Sequence, residues 1–234
     1  MTIPSIPSWY LQEDKLSGIP RTMHFHQLGL FWVHLLYDMG YMPVISTETD
    51  EKIVGAGIAA MTCETCFPIK LSHGHTLALK DKVDYLFIPE LIEMQPSEND
   101  RRGYYCPYQQ GNFHMLKAAI GIEEAKCIHP DIHLQAGKKG MFKSFKEEFK
   151  RLNLHLKGFD EAWDTARATL TTFQNELKRI GKAALEKLGP DGKAVVVISR
   201  PYALYDTRTN LNLFNTFSKL GRNSDSIRIP GYPG

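Results

Sequence analysis

From residue 17 to about residue 130, short apolar runs alternate with longer stretches whose apolar residues recur every three or four positions. Period two or an unbroken apolar run reads as a strand, and a step of three or four reads as a helix face. Ser17–Arg21 reads as a short strand leaving through Pro20. Phe25, Leu28, Phe31, Trp32, Leu35, Leu36 and Met39 then mark a strong helix, closed by Gly40. Tyr41–Ile45 reads as a second strand, and Thr47 or Thr49 as the cap of a short helix reaching about Val54. Ile58–Thr62 fits a third strand, delivering Cys63 and Cys66. Pro68–Lys80 reads as helical, Val83–Ile88 as a buried strand ended by Pro89-Glu90, and Pro107–Ile120 as a helix with Pro107 at its first position. Strands alternating with helices predict a parallel sheet wrapped by helices.

The rhythm changes after Pro130. Met141–Leu156 is basic and amphipathic, with Phe142, Phe145, Phe149 and Leu152 on one face. Phe159, Trp163, Ala166, Leu170, Phe173, Leu177, Ile180, Ala184 and Leu188 predict one long helix, stopped by Gly189-Pro190. Its narrow stripe suits a helix that bridges two lobes better than a cofactor box. Ala194–Ser199 reads as a buried strand, followed by a helix from about Asn210 to Leu220. A lone strand–helix unit leaves both strand faces to be covered, so it either joins the first sheet or opens a second lobe. The expected organisation is a leader (1–16), a Rossmann-like α/β lobe (17–135), a helical segment (136–189), the first β–α unit of a second, truncated α/β lobe (190–221) and an irregular tail (222–234), read as a truncated or frame-disturbed end.

The chain has 234 residues, 43% of them hydrophobic and 23% charged, the profile of a globular protein with a proper core. A net charge of +2 gives no strong pull toward nucleic acid or anionic membrane. No apolar run approaches the roughly 20 residues of a membrane span. The first residues lack the apolar core of a signal peptide, which points to the cytoplasm. Four cysteines in such a setting suggest ligand or redox use rather than a disulfide framework.

Candidate chemistry concentrates on Glu64-Thr65-Cys66-Phe67-Pro68-Ile69-Lys70 with His73-Gly74-His75, and on Tyr105-Cys106-Pro107 forty residues after Cys66. Each cysteine stands beside a proline at the mouth of a helical pattern, where the helix dipole and free N–H groups favour a thiolate and thiophilic partners. Both are expected at the carboxyl edge of the sheet with the strand ends Pro20-Arg21, Ser46 and Pro89-Glu90, where Arg21 and the helix N-termini favour an anionic ligand. Lys70, one turn inside its helix, could compensate an anionic group, or simply be solvated. Cys63, Cys66, His73 and His75 also raise a zinc site, although a seven-residue gap from Cys66 to His73 is short and the helical repeat sets the two histidines about 200° apart. His24 and His26 read as solvent-facing or capping residues. Gly55-Ala56-Gly57-Ile58-Ala59-Ala60 only mimics a dinucleotide fingerprint, and neither a phosphate-binding P-loop nor a nucleophile elbow is present.

Five ordered motifs together resemble a known family. They are Gly18-Ile19-Pro20-Arg21; Glu64-x-Cys66-x-Pro68-x-Lys70 with His73-Gly74-His75; Val83-Asp84-Tyr85 through Pro89-Glu90; Cys106-Pro107-x-x-Gln110-Gly111; and Arg200-Pro201-Tyr202-x-x-Tyr205-Asp206 with Asn210. Over about Ser17–Gly221 the chain is similar to the domain that follows the ATPase modules in large CoA-substrate-specific enzyme activase proteins, relatives of 2-hydroxyacyl-CoA dehydratase systems. The resemblance implies a Rossmann-like lobe and an iron–sulfur cluster ligated by Cys66 and Cys106; Cys63 and Cys127 lie outside the family motif. The secondary candidates on the reading of the residues are Arg21, Cys63, Lys70, His73, His75, Glu90 and Arg200. The resemblance also implies an electron-transfer or reductase component fed by an ATP-dependent activase, the partner being an actin-like ATPase activase or a fused or adjacent dehydratase-like subunit; a homodimer is a further option. The alternative is a non-catalytic interaction module with structural or zinc-binding cysteines.

Overall fold

In the computed structural model, which describes residues 15–94, 103–187 and 195–219, strand β1 (Lys15–Ile19) is an inner strand of a four-stranded, all-parallel sheet. Helix α1 (Phe25–Asp38) carries the chain to β2 (Tyr41–Ile45), which pairs with β1 from Lys15↔Tyr41 to Ile19↔Ile45. Helices α2 (Glu51–Ala59) and α3 (Phe67–Leu79) then carry it to β3 (Tyr85–Phe87), on the other side of β1. The strand order is β2-β1-β3-β6, where β6 is Cys127–Ile128.

Two strands run on into a second, smaller sheet. β3 is followed by β4 (Glu90–Met94), and β6 (Cys127–Ile128) by β7 (Asp131–His133). The pairing carries through the junction, with Ile88 N–H donating to the Ile128 carbonyl at 2.9 Å and Glu90 N–H to the Pro130 carbonyl at 3.0 Å. Pro89 and Pro130 sit at the junction, where a residue without an N–H interrupts a ladder. The second sheet has the order β5-β4-β7, and its β5 (Gly103–Tyr104) is antiparallel to β4. Helices α4 (Pro107–Gln110) and α5 (Asn112–Ile120) follow β5; Gly111 divides the single helix that the sequence predicts.

Alternation along the strands creates two cores. Ile19, Phe87 and Ile128 face α1, α6 (Gly137–Arg151) and α7 (Phe159–Lys187), where Trp32, Leu35, Phe145, Phe149 and Phe159 are buried. Leu86, Ile88 and Cys127 face the other way, toward Leu79 of α3 and Phe113 and Leu116 of α5. On α6 the inward positions include Met141, Phe145 and Phe149, while Phe142 of the predicted face is exposed.

Three sequence expectations change. Ile58–Thr62 is not a strand: Ile58 and Ala59 finish α2, so Cys63 and Cys66 stand in a helix–helix connection. Asp50, not Thr47 or Thr49, caps α2, its carboxylate accepting from Ile53 N–H at 2.8 Å. Residues 195–200 form no strand; Val195, Val196 and Ile198 are 58%, 77% and 89% exposed. Beyond them come a short helix, α8 (Pro201–Tyr205), and α9 (Leu213–Lys219). The leader up to residue 14, Ala194 and the tail from Arg222 lie outside the described residues. Among those described, no helix is long and apolar enough to cross a membrane.

Candidate functional site

Because β1 connects to β2 on one side and lies against β3 on the other, the carboxyl edge of the sheet has a switch point, where open α/β sheets leave a crevice. Arg21 and Thr22 follow β1 there, Ser46 follows β2, and the Ile88–Glu90 turn follows β3. The N-terminus of α3 reaches the same edge: the Thr22 hydroxyl lies 3.4 Å from the Pro68 carbonyl.

Cys66 is the N-cap residue of α3, and its carbonyl accepts from Ile69 and Lys70. Close backbone approach fixes this helix. A Cβ on Gly57 of α2 would stand 2.0 Å from the Lys70 carbonyl oxygen, and one on Gly74 of α3 2.1 Å from the Ile53 carbonyl oxygen. Within the glycine-rich run, Gly57 therefore serves α2–α3 contact. Lys70 pairs with Glu64 at 2.9 Å, across the exposed loop that carries Cys63 and Cys66.

Cys106 is also an N-cap residue, of α4, but it is delivered by β5 of the second sheet rather than by a strand of the parallel one. Its approach is held by Tyr105 N–H on the Ile92 carbonyl at 3.0 Å and by the Gln110 amide on the Tyr105 carbonyl at 2.6 Å. Cys66 and Cys106 are both exposed, and both act on Tyr202 of α8. Burial raises the Tyr202 phenol above its ordinary pKa, Arg200 beside it opposes the shift, and Cys66 and Cys106 add to it. Two thiols from separate elements thus lie within electrostatic reach of one phenol.

The segment after Arg200 completes the edge. The His75 ring of α3 bonds the Ser46 hydroxyl through Nδ1 (2.9 Å) and the Thr49 hydroxyl through Nε2 (3.0 Å). Thr49 in turn donates to the Asp206 carboxylate. Ser46 also accepts from Arg21 N–H at 2.8 Å, while the Arg21 guanidinium pairs with Glu48 at 3.1 Å. His26 of α1 stacks on Tyr205 at 6.4 Å. Burial lowers the pKa of His26 and of His75 to about 4, against the partial opposition of Asp206. His24, the N-cap residue of α1 as the capping expectation has it, is lowered to about 4 by burial as well, and its Nδ1 takes the Trp32 indole N–H at 3.3 Å; both His24 and His26 are half-buried rather than solvent-facing.

Glu90 lies at the same edge in a different cluster. It is 3% exposed, with His129 Nδ1 at 3.6 Å and His114 Nε2 at 3.9 Å from Oε2, and His129 stacks on Phe113 at 3.6 Å. His73, buried, donates from Nδ1 to the Ile69 carbonyl of its own helix (2.8 Å). Cys127 is buried in the second core and its thiol is pushed up to about 12 by that burial. Arg200 is exposed and is the N-cap residue of α8.

The cofactor expectations are corrected here. Among the described residues no group of three or more His, Cys, Asp or Glu is arranged to hold a metal ion, which removes both the iron–sulfur cluster and the zinc site. The zinc set fails for a visible reason: His75 is committed to Ser46 and Thr49 and His73 to its helix backbone, while Cys63 and Cys66 remain free in their loop. From sequence, Arg21, Ser46, Cys66, Glu90 and Cys106 are expected at one sheet edge, whereas Thr49, Tyr202 and Asp206 are not singled out for it. The available signal was the dense Arg200-Pro201-Tyr202-x-x-Tyr205-Asp206 run, which the strand–helix rhythm had assigned to another lobe.

No curated protein and no solved structure matches the chain. A family model does, over residues 17–224, which takes in every residue of the edge just described: the chain belongs to the CoA enzyme activase uncharacterised domain family (DUF2229).

Proposed function

We propose that this chain is the reductase-side component of a CoA-enzyme activation system, accepting electrons from an ATP-dependent activase partner and working at the strand-end crevice through Cys66 and Cys106. The observation that supports this reading is that two exposed thiols, the N-cap residues of two separate helices, both bear electrostatically on the Tyr202 phenol. The family match supports the activase context. The chain has no P-loop, so ATP-driven work belongs to the partner. With no metal-holding group among the described residues, the two cysteines act as thiols in this reading. The second reading, an interaction module with chemically idle cysteines, is favoured by that same lack of a ligand cluster.

Two measurements separate them. The reduced chain, treated with a small disulfide oxidant, is digested and mapped. A Cys66–Cys106 disulfide favours the redox reading, and four free thiols favour the module. Binding to an actin-like ATPase is then compared with ADP and with a non-hydrolysable ATP analogue. Nucleotide-dependent binding is expected, and equal binding or none removes the activase partnership.

A further inference from the structure

The turn into α2 and the loop after α8 enclose an open cleft of about 630 Å³, within the roughly 300–1,000 Å³ of small-molecule sites. Thr49 and Asp50 line one wall, and Thr207, Arg208, Leu211 and Asn212 line the other. The second wall is tied by its own hydrogen bonds. Asp206 Oδ1 accepts from Arg208 N–H at 3.0 Å and from Thr209 N–H at 2.8 Å. Asn212 N–H donates to the Thr207 carbonyl at 2.9 Å, and the Asn210 amide to the Leu204 carbonyl at 3.2 Å. Leu211 and Asn212 are both held in the left-handed region, at φ of 53° and 56°. That conformation disfavours leucine, and no burial offsets it, since Leu211 is 86% exposed on the cleft wall.

The two walls carry opposite charges. Asp50 uses Oδ1 to cap α2 at Ile53 N–H (2.8 Å), and among the described residues its Oδ2 has no hydrogen-bond partner. The Arg208 guanidinium makes one carboxylate contact among the described residues, a loose 3.5 Å pair with the exposed Glu51. The Asn215 amide donates to Asn212 Oδ1 at 2.6 Å, which orients the Asn212 side chain and leaves its NH2 group to donate. We infer that the cleft binds a zwitterion of amino-acid to dipeptide size, its carboxylate on the Arg208 guanidinium, its ammonium on Asp50 Oδ2 and an apolar side chain against Leu211. A guanidinium takes a carboxylate through two parallel N–H bonds, and an ammonium brings three donors to a carboxylate oxygen. A ligand with negative charge alone would meet Asp50 and Glu51, and one with positive charge alone would meet Arg208. Only a molecule that carries both suits both walls. No cysteine is among the described residues that line the cleft, so the inference goes beyond the thiol reading and can stand or fall without it.

The full chain is titrated, with NMR detection, with L-leucine and with L-leucylglycine. The comparison probes are N-acetyl-L-leucine, which lacks the ammonium, and L-leucinamide, which lacks the carboxylate. The Asn212 side-chain amide, assigned by its loss in Asn212→Gly, reports on the cleft. The expected result is saturable binding of at least one zwitterion with a Kd below about 10 mM. Each blocked analogue should bind about tenfold more weakly, the effect of one lost charge-assisted hydrogen bond. Tighter binding of the dipeptide assigns the site to a peptide end, and tighter binding of leucine to a free amino acid. Arg208→Gln removes the guanidinium, and Asp50→Asn removes the carboxylate while keeping a residue that caps α2. In Arg208→Gln, leucine and leucinamide should converge while N-acetyl-leucine stays weaker. In Asp50→Asn, leucine and N-acetyl-leucine should converge while leucinamide stays weaker. Residues that only shaped the loop would weaken every probe alike, and that outcome overturns the inference. It is also overturned if neither zwitterion binds saturably, if a blocked analogue binds the wild type as tightly as leucine, or if binding leaves the Asn212 amide signal unmoved.

Discussion

Tyr85–Ile88 and Val195–Ser199 are similar apolar runs with opposite fates. The first lies in the parallel sheet, with Leu86 and Ile88 buried on one face and Phe87 on the other. The second is mostly exposed and forms no strand. What differs is the neighbourhood: β1 and β6 flank the first run, while no described strand pairs with the second. The chain beyond Arg200 is attached by other means. Leu204 is the buried apolar residue of α8, and polar contacts do the rest: Thr49–Asp206, the His26–Tyr205 stack and Arg208–Glu51. One region is held by buried apolar area, which is indifferent to pH. The other is held at titratable groups.

The largest effect that sharpens this contrast is expected in the first core. Phe145 is fully buried among Phe87, Phe149 and Phe159. Phe145→Ala should cost about 3–5 kcal/mol in chemical denaturation. A loss below about 1 kcal/mol would mean that the aromatic cluster does not dominate that face.

Acid should come next. His24, His26 and His75 have folded pKa values near 4, against an ordinary 6.5. Between these values the unfolded chain binds more protons than the folded one, so stability falls as pH drops from about 6.5 toward 4 and levels off below. The loss is on the order of 3 kcal/mol for each of the three rings. Denaturation midpoints measured across this window check it. Hydrogen exchange adds the regional test, since Pro201–Asn212 should lose protection before Tyr85–Ile88. Simultaneous loss breaks the comparison.

Gly57→Ala should destabilise by about 1–3 kcal/mol, because its Cβ would stand 2.0 Å from the Lys70 carbonyl oxygen and must push α2 from α3. In an open helix the same change would stabilise by up to about 1 kcal/mol. The sign alone, read from thermal melts, decides whether α2–α3 contact holds the Cys63–Cys66 loop in place.

The smallest effect belongs to the exposed run. Val196, 77% exposed, should tolerate Ser with a change within about 0.5 kcal/mol. A loss of 2 kcal/mol or more would show that Val195–Ser199 is covered by another chain in solution, and the two apolar runs would then be alike after all.

Much of the first region was legible because its elements advertise themselves locally. The spacing of Phe25 to Met39, the Tyr41–Ile45 run and the Phe159–Leu188 stripe predicted α1, β2 and α7 closely. Ile58–Thr62 was misread because a five-residue apolar stretch fits a helix end as well as a strand, and α2 had already begun at Glu51. The candidate edge was half legible. Arg21, Cys66 and Glu90 follow from strand ends and a proline-marked helix start, while Cys106 reaches the site from the antiparallel β5, for which two residues give no periodic signal.

By itself the sequence determined the α/β class, the long helices and the position of two cysteines at helix N-termini, because hydrophobic period and proline placement act over a few residues. Only the tertiary structure decided that Tyr202 and Asp206 belong with Cys66 and His75, since Thr49 and Asp206 are 157 positions apart and their hydrogen bond leaves no local pattern. It also decided that His73 and His75 are bound by protein groups rather than offered to a metal. Whether a histidine is free depends on what the fold packs against each ring nitrogen, and residue spacing carries no record of that.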